Sequence, residues 1–312
     1  AGLYQVIGQE IDDKYIAQVK AQVVNQKAID EMQDQITIVY TPLHGTGNIP
    51  ARRVMKEIGF THVYVVPEQE LPNGDFPTVS YPNPEAKEAF EQGLKLAKEK
   101  DADLVLATDP DADRLGVYVK DTKSGEYIPL TGNMSGSLLC EYVLSQKQAA
   151  GKIPADGQVV KSIVSTNLID AVAKSYGAEL IEVLTGFKWI GKQILKNETT
   201  GHGTYLFGME ESYGCLIGTY ARDKDAISAT AALCEAAAYY KQKGMTLWDA
   251  MIAMYEKYGY YKDAVKAIGL SGIEGLAKIQ SIMETLRNNT PTEVGGYKVT
   301  SARDYKLDTI KN

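Results

Sequence analysis

The sequence predicts an α/β protein with two consecutive α/β domains, each with a mainly parallel mixed sheet, and the start of a further α/β domain. Short apolar or β-branched runs alternate with amphipathic helical segments, and this alternation begins again near Val159. The length of 312 residues also favours two domains of ordinary size over one.

The first α/β domain is predicted over residues 1–128, with the end of a preceding domain at its N-terminus. Its strands and the helices between them are predicted, in chain order, at residues 36–41, 49–60, 62–66, 84–100 and 103–108. Strands that alternate with helices form a parallel sheet, and the ligands of such sheets bind at the carboxyl ends of the strands. A hairpin around Lys123–Gly125 is predicted to add an antiparallel edge.

The second domain is predicted over residues 129–268 and repeats this architecture. Its strands are predicted at residues 159–165, 179–185 and 204–209, and its helices at residues 133–146, 167–177, 187–197, 225–243 and 247–258. A third segment, residues 269–312, is predicted to hold one helix (274–289) and one strand (297–305) of an unfinished domain. We therefore expect the chain to be a piece of a larger protein.

Composition and charge narrow the class of function. The net charge of −7 argues against binding to nucleic acid or to anionic membranes. An anionic substrate would then need a local basic pocket or a metal ion. The three cysteines lack CxxC spacing and are expected to be buried free thiols rather than zinc ligands. Without a signal peptide or a long apolar run, the chain is expected to be soluble and cytoplasmic.

The motif "TDPDADR" follows the third predicted strand and places Asp109, Asp111 and Asp113 on alternate residues. Three carboxylates this close are unfavourable unless a cation lies among them, and Mg²⁺ prefers such oxygen ligands. An EF-hand is excluded because its sixth and twelfth positions need Gly and Glu, where this chain has Arg114 and Lys120. A phosphatase of the haloacid dehalogenase type and a solvated turn stay open as alternatives.

Basic residues and a glycine-rich turn lie near the acidic motif. Arg114 suits an anion that also touches the metal, although it could simply pair with the aspartates. The turn "TPLHGTG" after the first strand could present backbone N–H groups to an anion, but it lacks any established phosphate-loop spacing. His44 in this turn suits a structural role as well as a functional one.

Three loops of the second domain are predicted at the same edge of its sheet. The motif "GMEESYG" brings Glu210 and Ser212 together with glycines, a combination that can bind vicinal sugar hydroxyls. The loop "LTGFKW" contains Gly186, and "ARDKDA" adds Arg222 and Lys224 as candidate phosphate contacts. Each loop alone is typical of a surface turn, and their shared edge favours a site.

Together these loops resemble the α-D-phosphohexomutase superfamily, the phosphoglucomutases and phosphomannomutases. The motif "TDPDADR" is similar to its magnesium loop, "EES" to its sugar-binding loop, "TGFK" to a specificity loop and "RDKDA" to a basic segment. The matches run in order from about residue 36 to residue 230, and "GMEESYG" is similar to the bacterial phosphoglucomutase branch. The resemblance implies domains two and three of a four-domain enzyme, with the end of domain one and the start of domain four.

The resemblance also implies site residues and a mechanism. A phosphoserine of domain one would exchange its phosphoryl group with a hexose phosphate, linking glucose 1-phosphate and glucose 6-phosphate through glucose 1,6-bisphosphate. Implied Mg²⁺ ligands are Asp109, Asp111 and Asp113, while Arg114 and Lys224 would contact phosphate. The implied sugar contacts are Gly186, Glu210 and Ser212.

Two motifs of that family are absent from these 312 residues, the Ser-His-Asn-Pro loop and the Arg-x-Ser-Gly-Thr phosphate clamp. We therefore expect a mutase in the full-length parent and no turnover by this chain alone. A non-catalytic module that binds sugar phosphates is the alternative.

Overall fold

The computed structural model describes residues 2–264 and 269–311. By its internal contacts the chain divides into two units, residues 1–261 and 262–312, which are described separately below. The domain limits predicted at residues 128/129 and 268/269 stay predictions, and residues 265–268 lie outside the described part.

The first sheet of unit 1 has five strands in the order β2-β1-β3-β4-β5. The strands are β1 (Thr37–Thr41), β2 (His62–Val65), β3 (Leu104–Thr108), β4 (Leu115–Lys120) and β5 (Tyr127–Leu130). Strands β2, β1 and β3 are parallel, and β4 and β5 form an antiparallel hairpin on the edge beside β3. The predicted parallel sheet and its hairpin edge are confirmed.

Five helices accompany this sheet in the described chain. They are α1 (Gly8–Lys20), α2 (Gln26–Met32), α3 (Asn48–Ile58), α4 (Pro67–Glu70) and α5 (Glu91–Lys100). The prediction that one helix begins at Pro84 is wrong, because α5 begins at Glu91 after a 3₁₀ turn over Lys87–Phe90. Asn83 accounts for the late start: its side chain accepts from the backbone N–H of Glu85, and its carbonyl accepts from that of Ala86.

The second sheet of unit 1 has four strands in the order β7-β6-β8-β9. The strands are β6 (Gly157–Ser162), β7 (Glu179–Val183), β8 (Thr204–Glu210) and β9 (Gly214–Leu216). The helices that follow β5 are α6 (Gly132–Ala149), α7 (Leu168–Ser175), α8 (Lys188–Thr200), α9 (Ala226–Gln242) and α10 (Leu247–Tyr258). Only β9 is antiparallel among the described strands of this sheet, so the predicted repeat of the α/β architecture is confirmed.

Helix α9 joins the cores of the two sheets. Its alanines are almost all buried, and they belong to one apolar cluster that also contains Leu106 of β3 and Phe207 of β8. Small side chains let neighbouring elements approach closely, and α9 packs on both α2 and α6. The predicted burial of Cys140, Cys215 and Cys234 as free thiols is also confirmed.

In unit 2, helix α11 (Gly272–Asn288) precedes two small hairpins. Their strands are β10 (Glu293–Val294), β11 (Tyr297–Lys298), β12 (Ala302–Asp304) and β13 (Thr309–Lys311). The predicted single strand over residues 297–305 is wrong, because β11 pairs with β10 across the turn at Gly295 and Gly296 whereas β12 pairs with β13. Within the described residues, no helix has the length and apolar character that a membrane span requires.

Candidate functional site

Two loops occupy equivalent places in the two sheets of unit 1. Residues 109–114 connect parallel strand β3 to antiparallel strand β4, and residues 211–213 connect parallel strand β8 to antiparallel strand β9. Both loops therefore lie at the carboxyl ends of parallel strands, where ligands bind in α/β proteins.

The first loop gathers the three aspartates predicted to bind metal. One oxygen each of Asp109, Asp111 and Asp113 lies within 4.8 Å of the others, and the side chains range from buried through exposed to half-buried in that order. Asp109 Oδ1 accepts hydrogen bonds from the backbone N–H groups of Asp113 at 3.0 Å and of Arg114 at 2.9 Å. The backbone thus folds around Asp109, and the sequence prediction that the three carboxylates converge is confirmed.

The electrostatics of this cluster match a cation site. Burial raises the pKa of Asp109 to about 7, the hydrogen bond from Arg114 opposes the shift, and the charges of Asp113 and Asp111 add to it. A divalent cation among the three oxygens would remove this mutual repulsion. Three carboxylate oxygens with one exposed member are a donor set that fits a hard ion such as Mg²⁺.

Arg114 lies beside the carboxylates without pairing closely to them. Its Nε is 3.8 Å from Asp109 Oδ2 and 3.7 Å from Asp113 Oδ1, and its Nη1 is 3.7 Å from Glu85 Oε1. These distances are too long for good hydrogen bonds, and the buried Nε finds no hydrogen-bond partner within the described chain. Arg114 thus forms loose ion pairs with the aspartates, the alternative that the sequence left open, and its contact with an anion stays a prediction.

The glycine-rich turn after β1 supports the acidic loop from behind. The backbone N–H of Thr46 donates to the carbonyl of Pro110 at 2.8 Å, and a Cβ on Gly45 would lie 2.3 Å from Pro110 Cα. Only glycine fits at this approach. His44 is buried, with ring nitrogens bonded to the Leu71 carbonyl at 3.1 Å and to the Thr78 hydroxyl at 2.9 Å. The structural role of His44 is thus the one that its contacts favour.

Lys224 lies at the acidic loop. Its Nζ is 2.9 Å from Asp113 Oδ2 and 3.1 Å from Asp223 Oδ1, and its stem passes so close to Gly214 that a Cβ there would lie 2.0 Å from Lys224 Cδ. Burial disfavours the ammonium, but the two carboxylates outweigh burial and raise the pKa of Lys224. A permanent positive charge therefore stands beside the proposed metal ligands.

The second loop presents the predicted sugar contacts. Glu210 is buried, and its Oε1 accepts the backbone N–H of Gly186 at 2.6 Å. Burial raises the pKa of Glu210, and the bond from Gly186 together with the charge of Lys224 opposes that shift. Gly186 has φ +112°, a conformation that glycine adopts freely. Ser212 is half-buried, and its hydroxyl makes no hydrogen bond within residues 2–264 and 269–311.

The two loops are joined into one region by backbone hydrogen bonds. The N–H of Leu115 donates to the carbonyl of Tyr213 at 3.0 Å, and the N–H of Ala226 donates to the carbonyl of Ala112 at 3.1 Å. The carboxylates, Lys224 and the Glu210 loop therefore form one connected site that can hold a cation, a phosphate and a polyhydroxylated ligand.

The structure pairs one candidate phosphate contact with a carboxylate and shows contacts that the sequence did not predict. Arg222 donates from Nη2 to both carboxylate oxygens of Glu198, each at 2.7 Å, in an exposed ion pair, and its contact with phosphate stays a prediction. The contacts of Ser162 and Ser165 with Glu211 were not predicted. Their only signal in the sequence was their place at the end of a predicted strand on the same sheet edge.

Two family models match the chain. The phosphoglucomutase/phosphomannomutase alpha/beta/alpha domain II model matches residues 13–125, and the domain III model matches residues 131–258. A phosphoglucomutase of Staphylococcus aureus is 36% identical over 279 residues, which cover 89% of this chain and 49% of the relative. A probable phosphomannomutase of Haemophilus influenzae is 37% identical, with 97% of this chain and 58% of the relative covered. The chain spans about half the length of these curated relatives.

Solved structures share the fold. A putative phosphomannomutase from Thermus thermophilus aligns with a TM-score of 0.63 at 21% identity, over 80% of this chain and 51% of that one. The N-acetylphosphoglucosamine mutase of Aspergillus fumigatus, solved with GlcNAc-6P and magnesium, aligns with a TM-score of 0.54 at 14% identity, over 78% and 53%. At these identities the alignments show a shared fold and nothing more.

Proposed function

The chain belongs to the phosphoglucomutase/phosphomannomutase family, and on that premise we propose that it forms the metal- and sugar-binding part of a phosphohexomutase. The reaction proposed is the interconversion of glucose 1-phosphate and glucose 6-phosphate through glucose 1,6-bisphosphate, in the cytoplasm. The observation that carries this proposal is the union of the three-carboxylate cluster, Lys224 and the Glu210 loop in one site.

In this proposal Asp109, Asp111 and Asp113 hold Mg²⁺, which when bound neutralises charge that develops during phosphoryl transfer. The donor set fits this ion because it is made of carboxylate oxygens only, and one of them faces solvent. The magnesium in the Aspergillus fumigatus mutase, which shares the fold, supports the choice of metal.

The positive side chains are proposed to bind phosphate. The Arg114 side chain is about one third exposed and pairs with carboxylates only at 3.7–3.8 Å, so its guanidinium can turn toward a phosphate oxygen at little cost in lost contacts. Lys224 is already charged and faces Asp113, which places its ammonium where an anion and the metal would meet.

Glu210, the last residue of β8, and the two residues that follow it (together the 210–212 loop) are proposed to bind the hexose. Glu210 is fixed by the Gly186 amide through one oxygen, and its other oxygen can accept bonds from ring hydroxyls. The Ser212 hydroxyl can add one more bond. These groups recognise hydroxyls rather than phosphate, so they suit a sugar that binds in two orientations, as exchange between its two phosphate positions requires.

The phosphoryl donor and the distal phosphate clamp are proposed to come from sequence outside these residues. Neither Ser-His-Asn-Pro nor Arg-x-Ser-Gly-Thr occurs in the 312 residues, and the curated relatives are about twice as long as the matched segment. The chain alone is therefore expected to bind hexose phosphates without converting them.

The test is a coupled assay of glucose 6-phosphate formation from glucose 1-phosphate, run on the product of the complete reading frame and on the 312-residue chain. Mg²⁺-dependent turnover by the complete product alone is the expected result. If the complete product binds glucose phosphates but turns over neither them nor mannose phosphates, a non-catalytic binding module would be favoured. Turnover by the chain alone, abolished by a substitution within it, would contradict the assignment of the donor to other sequence.

A further inference from the structure

Two serines at the end of strand β6, Ser162 as its last residue and Ser165 in the turn that follows, hold the middle residue of the 210–212 loop. The Ser162 hydroxyl lies 3.0 Å from Glu211 Oε2, and the Ser165 hydroxyl lies 3.4 Å from the same oxygen. The two hydroxyls are 2.8 Å apart, and both serines are buried. Because each hydroxyl has one proton, the shortest contacts define a relay in which Ser165 donates to Ser162 and Ser162 donates to Glu211.

The turn that carries these serines is itself anchored. Lys161 is completely buried, and its ammonium lies 2.5 Å from Asp170 Oδ1 and 3.1 Å from Asn167 Oδ1 at the start of α7. The backbone N–H of Thr166 donates to Asn133 Oδ1 of α6 at 3.0 Å. The relay therefore starts from a turn that is fixed to two helices, so its hydroxyls can orient a partner rather than follow it.

The 210–212 loop is gripped from two sides. Gly186 donates to Glu210, whereas Ser162 donates to Glu211. Below the loop, a Cβ on Gly132 would lie 2.0 Å from the Glu211 carbonyl oxygen, so the backbone rests directly on the first residue of α6. Because Glu210 and Glu211 are neighbours in the chain, each of these hydrogen bonds also restrains the peptide between them.

We propose that Ser162 and Ser165 are positioning residues that act through Glu211 to aim Glu210 and Ser212 at the hexose, an inference that rests on the proposed function. Ser162 and Ser165 touch no ligand in this proposal. Their effect is to reduce the number of conformations that the loop must lose when the sugar binds.

The experiment measures the dissociation constants of glucose 1-phosphate and of inorganic phosphate for the 312-residue chain in Mg²⁺ buffer, using the fluorescence of its two tryptophans, Trp189 in α8 and Trp248 in α10. The double variant Ser162→Ala/Ser165→Ala is compared with Glu211→Ala and with the triple variant. Ser145→Ala is the matched control, because the Ser145 hydroxyl bonds within its own helix: it donates to the carbonyl of Tyr142 and accepts from the side chain of Gln146. Ser162→Thr/Ser165→Thr keeps both hydroxyls and guards against a simple folding defect.

The double variant is expected to bind glucose 1-phosphate about 5- to 20-fold more weakly, with little change for inorganic phosphate. This is less than the roughly 10- to 150-fold cost of a lost charge-assisted hydrogen bond to the ligand, because the serines act on the sugar only through Glu211. Glu211→Ala should match it, and the triple variant should be no weaker, because the two changes remove one interaction. The threonine variant should restore binding.

Wild-type affinity in the double variant, additive losses in the triple variant, or equal loss for inorganic phosphate would each overturn the positioning role while leaving the proposed function standing. Failure of the wild-type chain to bind glucose 1-phosphate saturably would instead contradict the proposed function, and the inference with it.

Discussion

The loop after β3 and the loop after β8 occupy the same place in their two sheets but treat their carboxylates differently. In residues 109–114 three carboxylates face one another, and Asp109 accepts hydrogen bonds from the backbone of its own loop. In the 210–212 loop, Glu210 accepts from Gly186, and Glu211 accepts from Ser162 on a neighbouring segment. The first loop brings carboxylates close to one another, whereas each carboxylate of the second loop accepts a hydrogen bond from a donor elsewhere in the fold.

Burial does not explain the difference, because Asp109 and Glu210 are 8% and 6% exposed. What differs is the nearby positive charge, because Lys224 opposes the raised pKa of Glu210, and the origin of the donors. Asp109 has two other carboxylates within 4.8 Å, so its loop is stabilised when a cation binds. The 210–212 loop is already satisfied by protein groups, and it offers spare lone pairs to neutral hydroxyls. In the function proposed above, one topological position thus serves two kinds of ligand.

The comparison is tested most severely by Asp111→Asn in the complete mutase proposed above. Loss of one metal ligand should lower kcat on the order of a thousandfold, about 4 kcal/mol of transition-state stabilisation. The side chain is exposed, so the free energy of unfolding should change little. The exposed residue Asp30 provides a matched control, Asp30→Asn. If kcat of Asp111→Asn stays within about twofold of wild type, the metal role of the acidic loop is wrong.

Glu210→Gln should produce the next largest effect. Glutamine keeps an oxygen for the Gly186 amide but replaces a charged acceptor for sugar hydroxyls, a change worth about 1.5–3 kcal/mol or roughly 10- to 150-fold in kcat/KM. Both reaction directions should suffer alike, with little change in Tm. The control is Glu198→Gln, which removes a carboxylate from an exposed ion pair. A lower Tm with unchanged kinetics would make Glu210 a structural residue.

Glu235 of α9 is a buried carboxylate that belongs to neither loop. A pH titration of stability at this residue therefore tests the effect of burial without that of a ligand. Glu235 is completely buried and accepts from the Tyr142 hydroxyl at 2.8 Å, and burial raises its pKa to about 7. The folded protein therefore retains a proton that the unfolded chain loses near its usual pKa of 4.5. Stability from this group is complete at low pH and is lost as pH rises from about 4.5 through about 7.

The measurement is Tm between about pH 5 and about pH 8. Wild-type Tm should fall by several degrees more than that of Glu235→Gln, and the variant should be the more stable at the upper pH. Mg²⁺ should leave this difference unchanged, since Glu235 lies outside the acidic loop. Parallel pH profiles for the two proteins would contradict the raised pKa.

The smallest effect is expected from Mg²⁺ on the stability of the 312-residue chain. Three carboxylates form an incomplete coordination shell, and a dissociation constant of about 1–10 mM would raise Tm by about 1–4 °C at about 10 mM Mg²⁺. Asp109→Asn should abolish the rise, whereas Glu210→Gln should retain it. An equal rise in wild type and Asp109→Asn would indicate a non-specific effect of the salt.

Local patterns in the sequence were sufficient for most elements of unit 1. Alternating strands and helices, with a turn at Lys123–Gly125, predicted both sheets and the hairpin edge, because side-chain periodicity reports which face of each element is buried. The errors arose where side chains compete with the regular backbone, as at Asn83, or where a β-rich run pairs in two halves, as over residues 297–305. Neither competition is visible in periodicity.

The residues of the candidate site likewise fall into those that local sequence patterns indicated and those that only the structure brought together. The three aspartates were found from the sequence because the donors lie on alternate residues of one turn, and the "GMEESYG" motif marked Glu210 and Ser212. The contact of Lys224 with Asp113 and that of Ser162 with Glu211 each join segments far apart in the chain. The ion pair of Arg222 with Glu198 is a further example: nothing in the "ARDKDA" motif indicated a partner 24 residues earlier in the chain.

The sequence by itself thus determined the class of fold, the two sheet edges and the type of side chain that each loop presents, because these depend on short-range spacing and side-chain chemistry. Only the tertiary structure decided that the two edges meet, through Leu115 with Tyr213 and Ala226 with Ala112. It also decided which charges are neutralised by protein groups. Such long-range pairings depend on how the sheets pack around α9, and spacing along the chain carries no information about that packing.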